Sequence, residues 1–321
     1  MYVCLNGKIL PVEQAQVSVL DHGFLYGAGL FETMRTVGGE PMFWAEHYAR
    51  LVESAEALQL VSQVGISVAD DSLSQAGLPL PQANATRLDT PISADSKRFP
   101  WSSSDLHDLI TATVRANDLE EAYVRLSLTR GPGALGPSGK TCQTPTLVIY
   151  AKPLALPAED VYRCGRDLLI LQTRRNSPEL PVRVKSLNYL NSLLAYAELE
   201  ARGGGEGIQL TNEGWIAEGA VSNLFFVVEG ELWTPSLDTG ILPGITRAWV
   251  LQTARQQGIP TREHRFTRAE LREMTEAFTT SSVVGILPVV SVEQTPIDAG
   301  VPGPITSYLM QKWRTLTSRN N

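Results

Sequence analysis

Two side chains in the stretch 182–226, VRVKSLNYLNSLLAYAELEARGGGEGIQLTNEGWIAEGAVSNLFF, have the type and setting for chemistry: Lys185 and Glu218. The chain holds six lysines against twenty-one arginines, and the other five lysines lie near turns, prolines or other charges. A lysine is ordinarily a solvated surface residue. In a crevice between sheet and helix, however, desolvation disfavours the ammonium, and the neutral amine that results can form a Schiff base. Glu218 stands at the end of a short apolar run in sequence that is otherwise almost uncharged. Its ordinary reading is a turn cap, with Asn223 closing the turn.

The elements that must position these two residues can be read from periodicity. Val182, Arg183 and Val184 alternate as in a strand, and Leu190, Leu193, Leu194 and Ala197 recur at helix spacing. Strands are expected over 208–210, 215–217 and 224–228, with a turn at Asn212, Glu213 and Gly214. Lys185 therefore falls where a strand gives way to a helix.

Three motifs lie in order along this part of the chain: K-S-L-N-Y-L from Lys185, E-G-x-x-S-N-L-F from Glu218, and G-I-L-P-G-I-T-R from Gly240 to Arg247. Together they resemble the class IV, fold-type IV pyridoxal-phosphate enzymes. That family includes branched-chain and D-amino-acid aminotransferases and 4-amino-4-deoxychorismate lyase. The likeness runs from Asn6 to the C-terminal helix, with a gap near residues 60–100.

The resemblance implies an α+β fold with a small N-terminal domain and a larger C-terminal domain built on a barrel-like sheet. It also implies a homodimer, and an active site between the domains near the dimer interface. Lys185 would hold pyridoxal 5'-phosphate as an imine and shuttle a proton between the substrate Cα and the cofactor. Glu218 would face the pyridine nitrogen. The matching H-x-x-R-L assigns Arg50 to the phosphate, Ile245 and Thr246 form a second phosphate clamp at a helix start, and Ser281 and Ser282 match a further hydroxyl pair. Tyr189 would bond the ring oxygen, although related tyrosines stand one residue farther from the lysine. Tyr26, Arg35 and Arg130 match substrate-side positions. The implied reaction moves an amino group between an amino acid and a 2-oxo acid, both small-molecule substrates; the alternative is the lyase outcome, which releases pyruvate and 4-aminobenzoate. The segments 129–133 and 281–285 lean toward the lyase branch.

Composition narrows the field independently. A chain of 321 residues, 43% hydrophobic and 19% charged, can bury a full core and is long enough for two domains. A net charge of −7 argues against nucleic acid as a partner. Cys4, Cys142 and Cys164 form no C-x-x-C pair and no even disulfide framework, and the four histidines show no ligand spacing, so neither a disulfide scaffold nor a zinc site is expected. The sequence contains no basic leader followed by an apolar core and no run of about 18 apolar residues, so a soluble cytoplasmic protein without membrane contact is expected.

Along the rest of the chain, Asn6-Gly7 predicts a hairpin, and 21–29 a glycine-punctuated loop leading into the strand 30–37. Trp44, Tyr48, Leu51, Ala55 and Leu58 predict an amphipathic helix over 44–58. Residues 61–102 lose any period and read as a long loop or insertion, a candidate lid. A helix over 104–116 and strands over 123–130 and 146–150 follow. The proline-bearing stretch 152–160 marks a linker between domains at 1–151 and 161–321. A helix opens at Ile245, 288–292 reads as a last strand, and a terminal helix starts at Gly303-Pro304. One segment, 134–141, satisfies the relaxed phosphate-loop pattern of a nucleotide binder. That loop must open a helix, and Pro145 disfavours one, so a hairpin or substrate-side loop is the better reading.

Overall fold

A computed structural model describes residues 1–60, 99–136 and 144–318. Met1–Ala155 together with Val184–Asn188 form one compact unit, and Leu156–Arg183 with Tyr189–Asn321 form a second.

The first unit is built on β1 (Tyr2–Leu5), β2 (Lys8–Pro11), β3 (Gly29–Val37), β4 (Glu40–Pro41), β5 (Ala122–Thr129) and β6 (Thr146–Pro153). They lie in the order β2-β1-β6-β5-β3-β4, every pair antiparallel. The β1–β2 turn places Asn6 at φ 51° and Gly7 at φ 83°, the left-handed pair that a two-residue hairpin requires. One face of the sheet is apolar by strict alternation: Val124, Leu126 and Leu128 of β5 pack with Leu30 and Met34 of β3 and with Leu147 and Ile149 of β6. Two helices cover that face. One is α2 (Trp44–Ala57), which contributes Leu51, Val52 and Ala55. The other, α3 (Ser103–Ala116), contributes Leu106, Ile110 and Val114 and starts at a reciprocal capping box between Ser102 and Asp105. Phe99 and Trp101, at the end of the aperiodic stretch, pack into the same core. Residues 61–98 lie outside the described residues, and the lid reading lies there with them.

The glycine-punctuated stretch contains a short helix, α1 (His22–Tyr26), which the sequence reading took as loop. Asp21 caps it by accepting the Gly23 amide at 2.7 Å, and Gly27 ends it at φ 66°. Asp21 is fully buried and also accepts the hydroxyls of Thr129 at 2.9 Å and Thr146 at 2.6 Å, so it ties α1 to β5 and β6. On the other side of β3 the chain returns as an extended segment. The Phe31 amide donates to the Lys185 carbonyl and the Leu187 amide to the Gly29 carbonyl, both at 2.9 Å, with Ser186 bridging Leu30.

The second unit comprises α4 (Glu159–Cys164), β7 (Arg166–Ile170), α5 (Leu190–Ala201), β8 (Glu206–Ile208), β9 (Asn223–Val228), β10 (Glu231–Pro235), α6 (Ile245–Gln256), β11 (Thr261–His264), β12 (Met274–Ser281), β13 (Gly285–Val292), β14 (Thr295–Pro296) and α7 (Pro304–Thr317). The sheet order is β11-β10-β9-β12-β13-β7-β8, with β14 added beside β13. Strand β9 is buried at every position, as its continuous apolar run predicts, and Phe226 meets Phe266 edge-on in the core. Helix α6 packs on β12, and α4 and α7 pack on β13.

Three expectations change here. The strands expected over 208–210 and 215–217 reduce to β8 and a single bridge between Leu210 and Ile216. The strand 288–292 begins at Gly285 and is followed by β14, so it is not the last. Helix α5 forms, but Ser192, Ala195 and Leu199 are buried, whereas Leu190, Leu193 and Leu194 are 68%, 56% and 53% exposed. The small side chains set the face because they admit close contact with Leu169, Leu171 and Ala220.

Removing the anchor at Asp21 tests this account of the first unit. Asp21→Ala strands the buried Thr146 hydroxyl and the half-buried one of Thr129 and uncaps α1, so the expected cost is about 3 kcal/mol in a urea unfolding curve; a loss within about 0.5 kcal/mol would contradict it.

Candidate active site

Within the first unit the site is organised around Phe31 and Glu32. The Lys185 Nζ lies 4.6 Å from the centre of the Phe31 ring, and the Arg125 guanidinium carbon lies 3.7 Å from the same centre. Arg125 has no part in the sequence reading. Strand alternation could have found it, since the register sets Thr33 opposite Arg125 and Phe31 opposite Ser127, which puts Arg125 on the face of Phe31, Thr33 and Arg35.

The next residue, Glu32, is 2% exposed and gathers two nitrogen-bearing side chains of α2. Arg50 grips it with both prongs, Nε to Oε1 at 2.8 Å and Nη2 to Oε2 at 2.6 Å, while His47 Nδ1 lies 2.6 Å from Oε2. Burial alone would raise the Glu32 carboxyl; Arg50 and then His47 outweigh it and hold the pKa at about 2, from an ordinary 4.5. For His47, burial is the largest influence and drives the imidazole below its ordinary 6.5; Arg50 and Lys185 push the same way against Glu32. His47 is therefore neutral near pH 7 and donates its Nδ1–H to the carboxylate.

The three substrate-side candidates also belong to this unit. Arg35 is 7% exposed, with Nη2 at 3.4 Å from Glu121 and a buried Nε that has no partner among the described residues. Tyr26 is 45% exposed, and its hydroxyl accepts the Gly136 amide at 2.8 Å. Arg130 follows β5, its amide donating to the Ala28 carbonyl at 2.9 Å. Residues 137–141 of the phosphate-loop-like segment lie outside the described residues, and so does the nucleotide reading placed on them.

The second unit holds the remaining candidates. Glu218 is 4% exposed and caged by donors. Arg175 Nε reaches Oε1 at 2.8 Å, the Leu242 amide reaches Oε2 at 3.0 Å and Asn223 Nδ2 reaches Oε2 at 3.3 Å. A second guanidinium, Arg183, stands 3.9 Å from Oε1 while donating to the Gly240 and Asn176 carbonyls. Burial, then Arg175, lowers the Arg183 pKa to about 10, which leaves it charged at neutral pH. Neither arginine is a site candidate in the sequence reading, where Arg183 enters only as part of a strand pattern, since nothing in a linear pattern pairs residues 175 or 183 with 218. Asn223 does more than close a turn: it also donates to the Leu242 carbonyl at 3.0 Å. It lies so close to Gly244 that a Cβ there would meet its Oδ1 at 1.9 Å. Glu218 is thereby tied to the loop that leads into α6.

Ile245 and Thr246 are the first two residues of α6, whose N-cap Gly244 offers no side-chain acceptor. The Thr246 hydroxyl is buried without a partner among the described residues, as is that of Thr280, next to Ser281 at the end of β12. Unpaired amides at a helix start, with buried hydroxyls that lack an acceptor, form a ready anion site. The Ser281 hydroxyl accepts the Val284 amide at 3.3 Å, and Ser282 follows in the turn between β12 and β13. Tyr189 stands just before α5, its carbonyl accepting the Leu193 amide. Pyridoxal 5'-phosphate asks for an amine, an anion cradle and a buried carboxylate. Taken unit by unit, the first holds an amine of this kind in Lys185, and the second holds within itself both an anion cradle at the start of α6 and a buried carboxylate, Glu218.

The paired titrations of Glu32 and His47 fix a pH dependence. Both bind fewer protons folded than unfolded, so stability rises with pH. In protein freed of cofactor, stability should start to fall below 6.5 as unfolded His47 protonates, and fall further between 4.5 and about 2 as Glu32 titrates. Glu32→Gln should flatten the lower part of a plot of denaturant midpoint against pH; an unchanged slope there would contradict the assignment.

The model of the amino-transferase class IV family matches residues 29–292. The branched-chain-amino-acid aminotransferase of Escherichia coli strain K12 is 30% identical over 319 residues, covering 97% of this chain and 91% of that protein. The aminodeoxychorismate lyase of Bacillus subtilis strain 168 is 30% identical over 297 residues, covering 91% of this chain and 87% of that protein. Among solved structures, the branched-chain aminotransferase from the thermophilic archaeon Thermoproteus uzoniensis with norvaline matches with a TM-score of 0.80 at 28% identity, over 99% of this chain and 94% of that one. With buried anion donors and a caged carboxylate already in place, this agreement in sequence and fold establishes that the chain belongs to the class IV aminotransferase family, whose members share the fold-type IV architecture.

Proposed function

We propose that this protein carries pyridoxal 5'-phosphate on Lys185 and moves an amino group between an amino acid and a 2-oxo acid. The observation that carries the proposal is the setting of Lys185. Its backbone is fixed by the Phe31 amide, and its Nζ lies over an aromatic face rather than extending along a solvated surface.

The cofactor, when bound, supplies the sink for the electron pair left at the substrate Cα. The chain's own groups do the rest. Lys185 Nζ takes the Cα proton as general base and returns a proton as general acid. The Glu218 carboxylate holds a proton on the ring nitrogen, and Arg175, Asn223 and the Leu242 amide keep that carboxylate oriented. Arg50, the amides of Ile245 and Thr246, the Thr246 hydroxyl, and Ser281 with Ser282 bind the phosphate. The Tyr189 hydroxyl bonds the ring oxygen. Tyr26, Arg35 and Arg130 line the substrate side, where Arg35 and Arg130 suit a carboxylate.

Two further statements belong to the same proposal. One is a homodimer: Leu190, Leu193 and Leu194 of α5 offer apolar surface that a second copy would cover. The other is a second reading of the reaction, loss of a β-substituent as pyruvate, supported by the lyase relative from Bacillus subtilis.

A half-reaction separates the two outcomes. An amino donor alone should convert the bound cofactor to its amine form, seen as an absorbance change, with no acceptor present. Lys185→Ala should slow that step by about a thousandfold or more, and full turnover in Lys185→Ala would overturn the proposal. Pyruvate released from aminodeoxychorismate without an acceptor would decide for the lyase. A monomer mass independent of concentration would contradict the homodimer.

A further inference from the structure

We propose that Glu32, backed by His47, is the positioning residue that aims the Arg50 guanidinium at the phosphate of the cofactor. The inference rests on the reading of Arg50 as a phosphate partner and goes beyond it: His47 heads the H-x-x-R-L motif, but the motif gives a task to Arg50 alone and none to His47 or Glu32.

The geometry is specific. A single contact would leave the arginine plane able to rotate, whereas Glu32 engages Nε and Nη2 together and so fixes the plane as well as the position. His47 donates to Oε2, the oxygen that also takes Nη2, and so holds the carboxylate against rotation. The imidazole is 1% exposed, and its Nε2 has no partner among the described residues, so the bond to Glu32 is its one described side-chain hydrogen bond.

Charge points the same way. Glu32 is ionised and His47 neutral, so the cluster with Arg50 carries no net charge. A carboxylate beside an anion-binding arginine weakens its pull at a distance; what it supplies is a fixed direction. The anchor is also shared along the chain. Phe31 holds the Lys185 carbonyl and Glu32 holds Arg50, so two consecutive residues of β3 set both.

The test uses full-length protein stripped of cofactor and titrated with pyridoxal 5'-phosphate or with pyridoxal, which lacks the phosphate, followed by imine absorbance. Glu32→Gln should weaken pyridoxal 5'-phosphate binding about tenfold or more while leaving pyridoxal within about twofold. Arg50→Ala should show the same selectivity, and the double variant should be no worse than Arg50→Ala alone. A merely structural role would weaken both ligands together. Equal losses for the two ligands, or unchanged phosphate discrimination in Glu32→Gln while Arg50→Ala is selective, would overturn the proposal. An Arg50→Ala variant that fails to discriminate would instead bring down the reading of Arg50, and the proposal with it. Should Glu32→Gln not fold, Glu32→Asp keeps the charge but is too short to span both nitrogens. It should lose the same discrimination, and retention would overturn the proposal.

Discussion

Two main-chain hydrogen bonds at the edge of β3 determine where the Lys185 amine can stand. Phe31 donates to the Lys185 carbonyl and Leu187 donates to the Gly29 carbonyl. Side chains alternate across an extended segment, so a slip of one residue would present Val184 or Ser186 where Lys185 now lies. Glycine at position 29 belongs to the same constraint. A Cβ there would meet the Leu128 carbonyl oxygen and a Leu187 methyl, both at 2.7 Å, so the returning segment could not come this close to a larger residue.

Buried charge is handled in complementary ways in the two units. Glu32 is clamped by a guanidinium and an imidazole, and Glu218 by a guanidinium, an amide side chain and a main-chain amide. Both carboxylates are at most 4% exposed, where an unpaired charge would be prohibitively costly. Each is therefore ringed by donors that fix its direction. The buried hydroxyls of Thr246 and Thr280 differ in kind. They are donors without acceptors among the described residues, and a phosphate would complete them.

Much of this was legible in the sequence, and the gaps have physical causes. The Asn6-Gly7 hairpin, the α2 stripe, the α6 start and the apolar β9 rest on local rules, and local rules read well from a linear string. Helix α5 shows the limit. Periodicity located the helix, but Leu190, Leu193 and Leu194 face outward while Ala195 and Leu199 pack inward, and face selection is decided by tertiary packing. The short α1 was hidden by its glycines, and only the side-chain cap from Asp21 reveals it. Among the candidate residues, Lys185, Glu218, Arg50 and Thr246 stand out by motif. Arg175, Arg183, Glu32 and Arg125 do not: Glu32 meets its partners across the step from β3 to α2, Arg175 and Arg183 meet Glu218 dozens of residues on, and Arg125 meets Phe31 on a neighbouring strand.

Membership of the class IV aminotransferases accounts for the motifs, while the contacts around Phe31, Glu32 and Glu218 account for how these particular residues can act. Every step of the account requires the cofactor to be joined to one amine of the six available lysines. Borohydride reduction of the purified protein followed by peptide mass mapping measures this directly. The account predicts a pyridoxyl phosphate adduct on the peptide containing Lys185 and on no other; an adduct on another lysine, or none on a cofactor-saturated protein, would contradict it.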